Sequence, residues 1–198
     1  MGKRICVFCA SSNRIAPRYI EAAAQFARLA VMGGHTLVCG GTAKGLMGVL
    51  IGAAIEAGGR IDGMVPKFMH DYGWTDERLT QVTVVGTMRE RKELMMREAD
   101  AIVALPGAVG TLEELSEAIS LKRLGFYPKP IVIFNQDCFY DPLLRFFDRM
   151  AEEQMMALEQ TAWRVVERVE EILPAIDESP LWEVNLDNYH DNNGYGNQ

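Results

Sequence analysis

Two short stretches carry the residues whose types and spacing could do chemistry. One is Leu105-Pro106-Gly107-Ala108-Val109-Gly110-Thr111-Leu112-Glu113-Glu114; the other is Thr87-Met88-Arg89-Glu90-Arg91-Lys92. The first follows an apolar run, Asp100 to Leu105, and leads into Leu112, Leu115, Ile119, Leu121 and Leu124, which recur at helical spacing. The chain therefore leaves a buried strand, makes a Pro/Gly turn, and enters a helix at Thr111. A first helical turn has unpaired N–H groups and partial positive charge, which suit a phosphate. Gly107 and Gly110 let an anion approach the backbone, and Thr111 adds a hydroxyl. Glu113 and Glu114 set carboxylates one turn away. The chemistry implied is a phosphate cradle with an acid beside it.

The second stretch is a dense positive cluster, Arg89, Arg91, Lys92 and Arg97, in a chain of net charge −7. Composition alone reads it as a solvated helix face pairing with Glu90 and Glu93. Its place just upstream of the phosphate turn favours a ligand role, and Arg91 offers the fork that matches a phosphate or a carboxylate.

These stretches need a scaffold, and the rest of the chain supplies one. Apolar strand-like runs (3–9, 36–39, 60–65, 81–85, 100–105, 131–134 and 163–166) alternate with helical patterns. Such alternation predicts an α/β fold with a parallel sheet covered on both faces. Residues 66–80 read as a long irregular connection. Ligands in such sheets sit at the carboxyl ends of the strands. Three turns lie there: Ala10–Asn13, Gly40–Gly48 and Pro106–Thr111. Gly40-Gly41-Thr42-Ala43-Lys44-Gly45 fits neither the Walker nor the dinucleotide glycine pattern, but it supplies backbone donors and Lys44. Ser11, Gly40, Gly41 and Thr42 thus join the candidate binding residues. The 198 residues, 48% hydrophobic, predict one domain over 1–180 and a polar, disordered tail over 181–198.

The acidic balance argues against a nucleic-acid or anionic-membrane surface. No apolar run is long enough to span a bilayer and no signal peptide precedes the first strand, so a cytoplasmic protein is expected. Cys6 and Cys9 have metal-ligand spacing, but odd spacing on a strand sends them to opposite faces, and no second pair or nearby histidine completes a site. Buried structural thiols, no metal and no cofactor are expected.

Met88-Arg-Glu-Arg91-Lys92 followed by Pro106-Gly-Ala-Val-Gly110-Thr111-Leu-Glu-Glu114 resembles the paired Met-x-x-Arg-Lys and Pro-Gly-Gly-x-Gly-Thr-x-x-Glu motifs of the LOG ("lonely guy") family of cytokinin riboside 5′-monophosphate phosphoribohydrolases. The similarity extends to Val7–Ser12, Gly40-Gly41, Gly45–Gly48 and Gly58-Gly59. It implies a Rossmann-like doubly wound domain, a homodimer, and hydrolysis of the N-glycosidic bond of a nucleoside 5′-monophosphate, AMP or an N6-prenylated AMP. It also implies Arg91 and Glu114 as the catalytic pair. Met88, Lys92, Pro106, Gly107, Ala108, Val109, Gly110, Thr111 and Glu113 fall within the motifs as substrate-binding positions. Ala108 departs from the motif, where glycine stands, and a methyl there is expected to crowd the phosphate or demand a different backbone angle.

The residues fit that chemistry. Cleavage at C1′ passes through an oxocarbenium-like state that a carboxylate, Glu114, stabilises. Arg91 either offsets charge on the departing base or holds the phosphate, and Glu113, on another helix face, is assigned to ribose hydroxyls. The competing reading is a nucleotide or molybdenum-cofactor carrier without turnover.

Overall fold

The computed structural model describes residues 2–156 and 162–183. Seven strands pair in parallel: β1 (Arg4–Phe8), β2 (Thr36–Cys39), β3 (Arg60–Pro66), β4 (Gln81–Val85), β5 (Ala101–Ala104), β6 (Ile131–Phe134) and β7 (Arg164–Val166). Their order is β4-β3-β2-β1-β5-β6-β7. The unbroken apolar runs are the central strands: β5 and β6 are buried along their whole length, whereas the edge strands β4 and β7 are half exposed. That difference is what two covered faces require of a parallel sheet.

Helices α1 (Pro17–Met32), α2 (Gly45–Glu56) and α7 (Ile172–Asp177) bury one face, with Phe26, Ala27, Leu50 and Ile172 against Ile5, Val7 and Leu37. Helices α4 (Met88–Arg97), α5 (Val109–Arg123) and α6 (Asp141–Glu152) bury the other, with Met95, Leu115 and Phe147 against Phe8, Val38 and Ile133. Cys6 and Cys9 fall in different cores, as their spacing predicts. Both are free thiols, as is Cys39, while Cys138 is free and exposed. Strand order reverses between β1 and β5, so the crevice of this doubly wound sheet opens over their carboxyl ends.

Several boundaries differ from expectation. The connection 66–80 begins with a short helix, α3 (Lys67–Asp71), because Pro66 fixes an extended residue ahead of it. The helix that the sequence pattern predicts over 87–99 is α4, which begins at Met88 with Thr87 and Glu90 closing a capping box. α5 begins at Val109, two residues before Thr111. The tail expected over 181–198 lies outside the described residues from 184 on, and the Trp182 backbone N–H donates to the Pro128 carbonyl at 2.7 Å. No helix among the described residues is long and apolar enough to cross a membrane.

Candidate active site

The three turns at the carboxyl end of the sheet meet through their backbones. Ala10 donates to the Pro106 carbonyl at 3.3 Å and accepts from Leu46 at 2.9 Å. Asn13 Oδ1 accepts from the Gly45 N–H at 2.9 Å. β1, β2 and β5 therefore place Ser11, Gly40–Thr42 and Pro106–Thr111 around one crevice.

Beneath it lies a buried ion pair. Arg91 is 6% exposed and Glu114 8%. Arg91 projects from the first turn of α4, Glu114 from the second turn of α5. The Arg91 Nη1 and Glu114 Oε1 atoms are 3.3 Å apart. Arg91 Nε donates to the Met64 carbonyl of β3 at 3.1 Å, which fixes the plane of the guanidinium. Gly40 makes room for it: a Cβ at Gly40 would lie 1.8 Å from Arg91 Nη2. The cluster around Arg91 is thus not a uniformly solvated face, since its central arginine is in the core. Burial pushes the Glu114 carboxyl up to about 7; Arg91 opposes that shift, and Glu113 adds to it. A carboxyl poised there gains and loses its proton near neutral pH, as an acid–base group must.

Lys92 sits between Glu113 and Glu117, with Nζ 2.7 Å from Glu117 Oε2 and in contact with Glu113. Burial works against its ammonium, but the two carboxylates outweigh it and raise its pKa above the usual lysine value. Glu113, expected at ribose hydroxyls, is therefore engaged by Lys92. Glu117, which the motif reading did not single out, completes the pair; its signal was the i, i+4 spacing from Glu113.

The Pro106–Thr111 turn is open to solvent at its tip. Ala108 is the N-cap of α5 and no side chain caps the helix. Ala108, Val109 and Gly110 are exposed. A Cβ at Gly110 would meet nothing within 4 Å, so its missing side chain faces free space. Gly107 is different: a Cβ there would lie 2.1 Å from Thr111 Oγ1. Thr111, 4% exposed, thus packs beneath the turn. The concern over Ala108 does not hold on backbone grounds, because its φ of −97° suits any residue. Met88, 40% exposed, stands at the rim where α4 begins. Lys44 lies not over the crevice's anion position but 5.4 Å from the Trp74 ring centroid.

A cavity of about 430 Å³ lies on the α1–α2 side of the sheet, lined by Ser12, Asn13, Ala43, Gly45, Glu56 and Arg78 among others, so it reaches the outer side of two of the crevice turns. The sheet separates it from the helices that carry Arg91 and Glu114, and Arg78 is already paired to Asp76 at 2.6 Å. Among the described residues no cluster of His, Cys, Asp and Glu could hold a metal ion.

A family model described as "Possible lysine decarboxylase" matches residues 47–176. A cytokinin riboside 5′-monophosphate phosphoribohydrolase of Arabidopsis thaliana is 42% identical over 164 residues, covering 83% of this chain and 76% of that protein. The LOG enzyme of the same description from Oryza sativa subsp. japonica is 38% identical over 189 residues, 91% and 78% of the two chains. The chain belongs to the LOG family. Among solved structures, the molybdenum cofactor carrier protein of Chlamydomonas reinhardtii superposes with a TM-score of 0.71 at 20% identity, covering 90% of this chain and 98% of that one. The molybdenum cofactor binding protein of Rippkaea orientalis gives 0.69 at 20% identity, covering 89% and 96%. At that identity the likeness is one of fold.

Proposed function

We propose that this LOG-family protein is a nucleoside 5′-monophosphate phosphoribohydrolase, releasing a free purine base and ribose 5-phosphate from AMP or an N6-prenylated AMP. One observation carries the reading: a buried Arg91–Glu114 pair directly below an uncapped helix N-terminus. The 5′-phosphate sits on the N–H groups of Val109 to Thr111, where the backbone is open and the helix dipole favours an anion. Held there, the ribose extends toward Glu114. As the C1′–N bond lengthens, positive charge grows on the sugar and the Glu114 carboxylate stabilises it, orders the attacking water and takes its proton as the water adds to C1′, while the departing base leaves with the bonding pair and is protonated from solvent. Arg91 keeps that carboxylate ionised in the complex and offers Nη2 to the phosphate or to the departing base. Phosphate binding supplies positioning energy remote from the bond that breaks. No cofactor enters these steps.

The relatives named above at 38% and 42% identity support a hydrolase over the carrier alternative. Lysine decarboxylation would need a pyridoxal phosphate held as a Schiff base by a lysine. Lys92, the lysine at this site, is committed to two carboxylates. The same reading includes a homodimer, since Met88, Val109, Leu112, Leu124 and Phe126 leave exposed apolar surface on and beside α4 and α5. The cytoplasm is the compartment that suits its four free thiols.

The test is to incubate the protein with AMP and, separately, isopentenyladenosine monophosphate and to resolve free base by chromatography. Release of base that Arg91→Ala abolishes supports the proposal. Absence of base release from both nucleotides refutes it.

A further inference from the structure

Asn135 follows β6 and is 4% exposed. Its N–H donates to the Val166 carbonyl at 2.7 Å. Its side-chain oxygen accepts from the Tyr140 N–H at 2.7 Å, and its amide donates to the Asp141 carboxylate at 2.9 Å. Between these anchors the chain bends through Asp137 and Cys138, whose φ values are 51° and 59°. Two consecutive residues with side chains in the left-handed region are costly, and such a bend persists only where its surroundings over-determine it. Here both ends are tied to one buried asparagine.

The bend delivers Tyr140. Its ring is buried, 5% exposed, packed edge-on against Phe139 at 5.0 Å between centroids. Its hydroxyl donates to the Leu105 carbonyl at 2.7 Å. Leu105 immediately precedes Pro106, whose own carbonyl accepts from Ala10. Both carbonyls leading into the phosphate turn are therefore held from the scaffold side. With them fixed, the N–H groups of the turn and of α5 are aimed into the crevice. Tyr140 forms no hydrogen bond with Arg91 or Glu114 among the described residues, and nothing in the motif reading pointed to it.

We infer that Tyr140, held by the strained bend at Asn135, is a positioning residue that sets the aim of the phosphate turn. It acts on anion binding through the Leu105 carbonyl and leaves the Arg91–Glu114 pair untouched. This inference rests on the reading of the turn as a phosphate site, and a probe that needs no turnover separates the two. Inorganic phosphate is titrated into parent and Tyr140→Phe proteins by phosphorus NMR, and KM and kcat for AMP are measured alongside. The variant removes one oxygen and keeps the ring. Its phosphate affinity is expected to fall about tenfold and KM for AMP to rise by a similar factor, with kcat within about threefold of the parent. A role in stability alone would lower Tm and leave phosphate affinity where it was, and that result overturns the inference. So does a parent protein that binds no phosphate. A parent that binds phosphate but releases no base refutes the hydrolase reading instead, and the titration still decides on Tyr140. Should Tyr140→Phe fail to fold, Asn135→Ala, which frees the bend without altering the tyrosine, carries the same expectation and the same refutation.

Discussion

The crevice is lined by two glycine-rich turns, each following a strand and opening a helix, and they use their glycines for opposite ends. In the turn before α2, space around the glycines is taken up by the protein. Gly40 yields to the Arg91 guanidinium, Gly41 adopts φ +77° against Val65 and Leu79, Gly45 adopts φ +60° against the Ser11 and Ser12 backbone, and Gly48 abuts the Ala43 carbonyl. The first N–H groups of α2 are spent internally, on Asn13 and the Ala10 carbonyl. In the turn before α5, Gly110 faces open space and the helix start has no side-chain cap. The start of α5 therefore leaves backbone N–H groups open to an anion that the start of α2 does not, and the turn before α2 makes room for the arginine. Glycine-rich turns after strands thus divide into those that admit a ligand and those that admit another part of the chain, and only the neighbours of each Cα tell them apart.

The largest expected effect tests that division directly. Gly40→Ala places a methyl where Arg91 Nη2 lies. The guanidinium is flexible enough to leave, so the fold survives, but Arg91 loses Met64 and Glu114. Turnover is expected to fall on the order of a hundredfold or more, close to the loss in Arg91→Ala. Gly110→Ala behaves in the opposite sense. A helical alanine in open space adds stability of up to about 1 kcal/mol, while the methyl intrudes on the anion and raises KM. Thermal melts and AMP kinetics on both variants check the pair. An active Gly40→Ala protein, or a destabilised Gly110→Ala protein, breaks the comparison.

Next comes the acid itself. Glu114→Gln keeps size and removes charge. If the carboxylate stabilises the ribosyl cation, turnover falls by about a hundredfold while AMP affinity stays within a few fold. A Gln variant working at the parent rate removes Glu114 from the mechanism.

A smaller effect appears in stability. Burial raises the folded-state pKa of Glu114 to about 7, above its value in the unfolded chain. The protonated form is thus favoured by folding. Its contribution is fully present below about pH 4.5 and is lost as pH rises through about 7, on the order of 1–3 kcal/mol. Gln cannot ionise, so the melting temperature of Glu114→Gln should gain on that of the parent between pH 5 and pH 8. A constant gap across that range would show that burial does not penalise the carboxylate. In turnover the same group predicts that kcat/KM for AMP rises with pH through an apparent pKa near 7, because the ionised form does the work.

Much of this was legible in the sequence. Unbroken apolar runs alternating with helical periodicity can form only a parallel sheet covered on both faces, and odd spacing placed Cys6 and Cys9 in different cores. The two motifs mark Arg91 and Glu114 by type, and their 23-residue separation gives no hint that α4 and α5 bring them to 3.3 Å. What could not be read depends on neighbours distant in the chain. Gly40 looks like an anion contact until Arg91, fifty-one positions on, is found against it. Thr111 is marked by type, but its packing beneath Gly107 shows only in the structure. Tyr140 and Asn135 carry no motif; the bend between them runs through two left-handed residues, and although aspartate tolerates that region, nothing about Cys138 announces it.

The smallest expected effect concerns Ala108, where the family motif has glycine. Glycine is required where φ is positive or where a Cβ would strike something. Ala108 has φ −97° and ψ −161°, an extended conformation open to every residue, and it is exposed as the N-cap of α5. Neither requirement applies to it. A methyl on the N-cap residue also leaves free the N–H groups that follow, which are the ones that bind an anion. Ala108→Gly should therefore change kcat/KM for AMP by less than about twofold, and stability should stay within about 0.5 kcal/mol, because glycine's better fit at an N-cap offsets its freer unfolded chain. A gain of tenfold in kcat/KM would mean that the methyl does crowd the phosphate, and that the seat at α5 is narrower than the open space around Gly110 indicates.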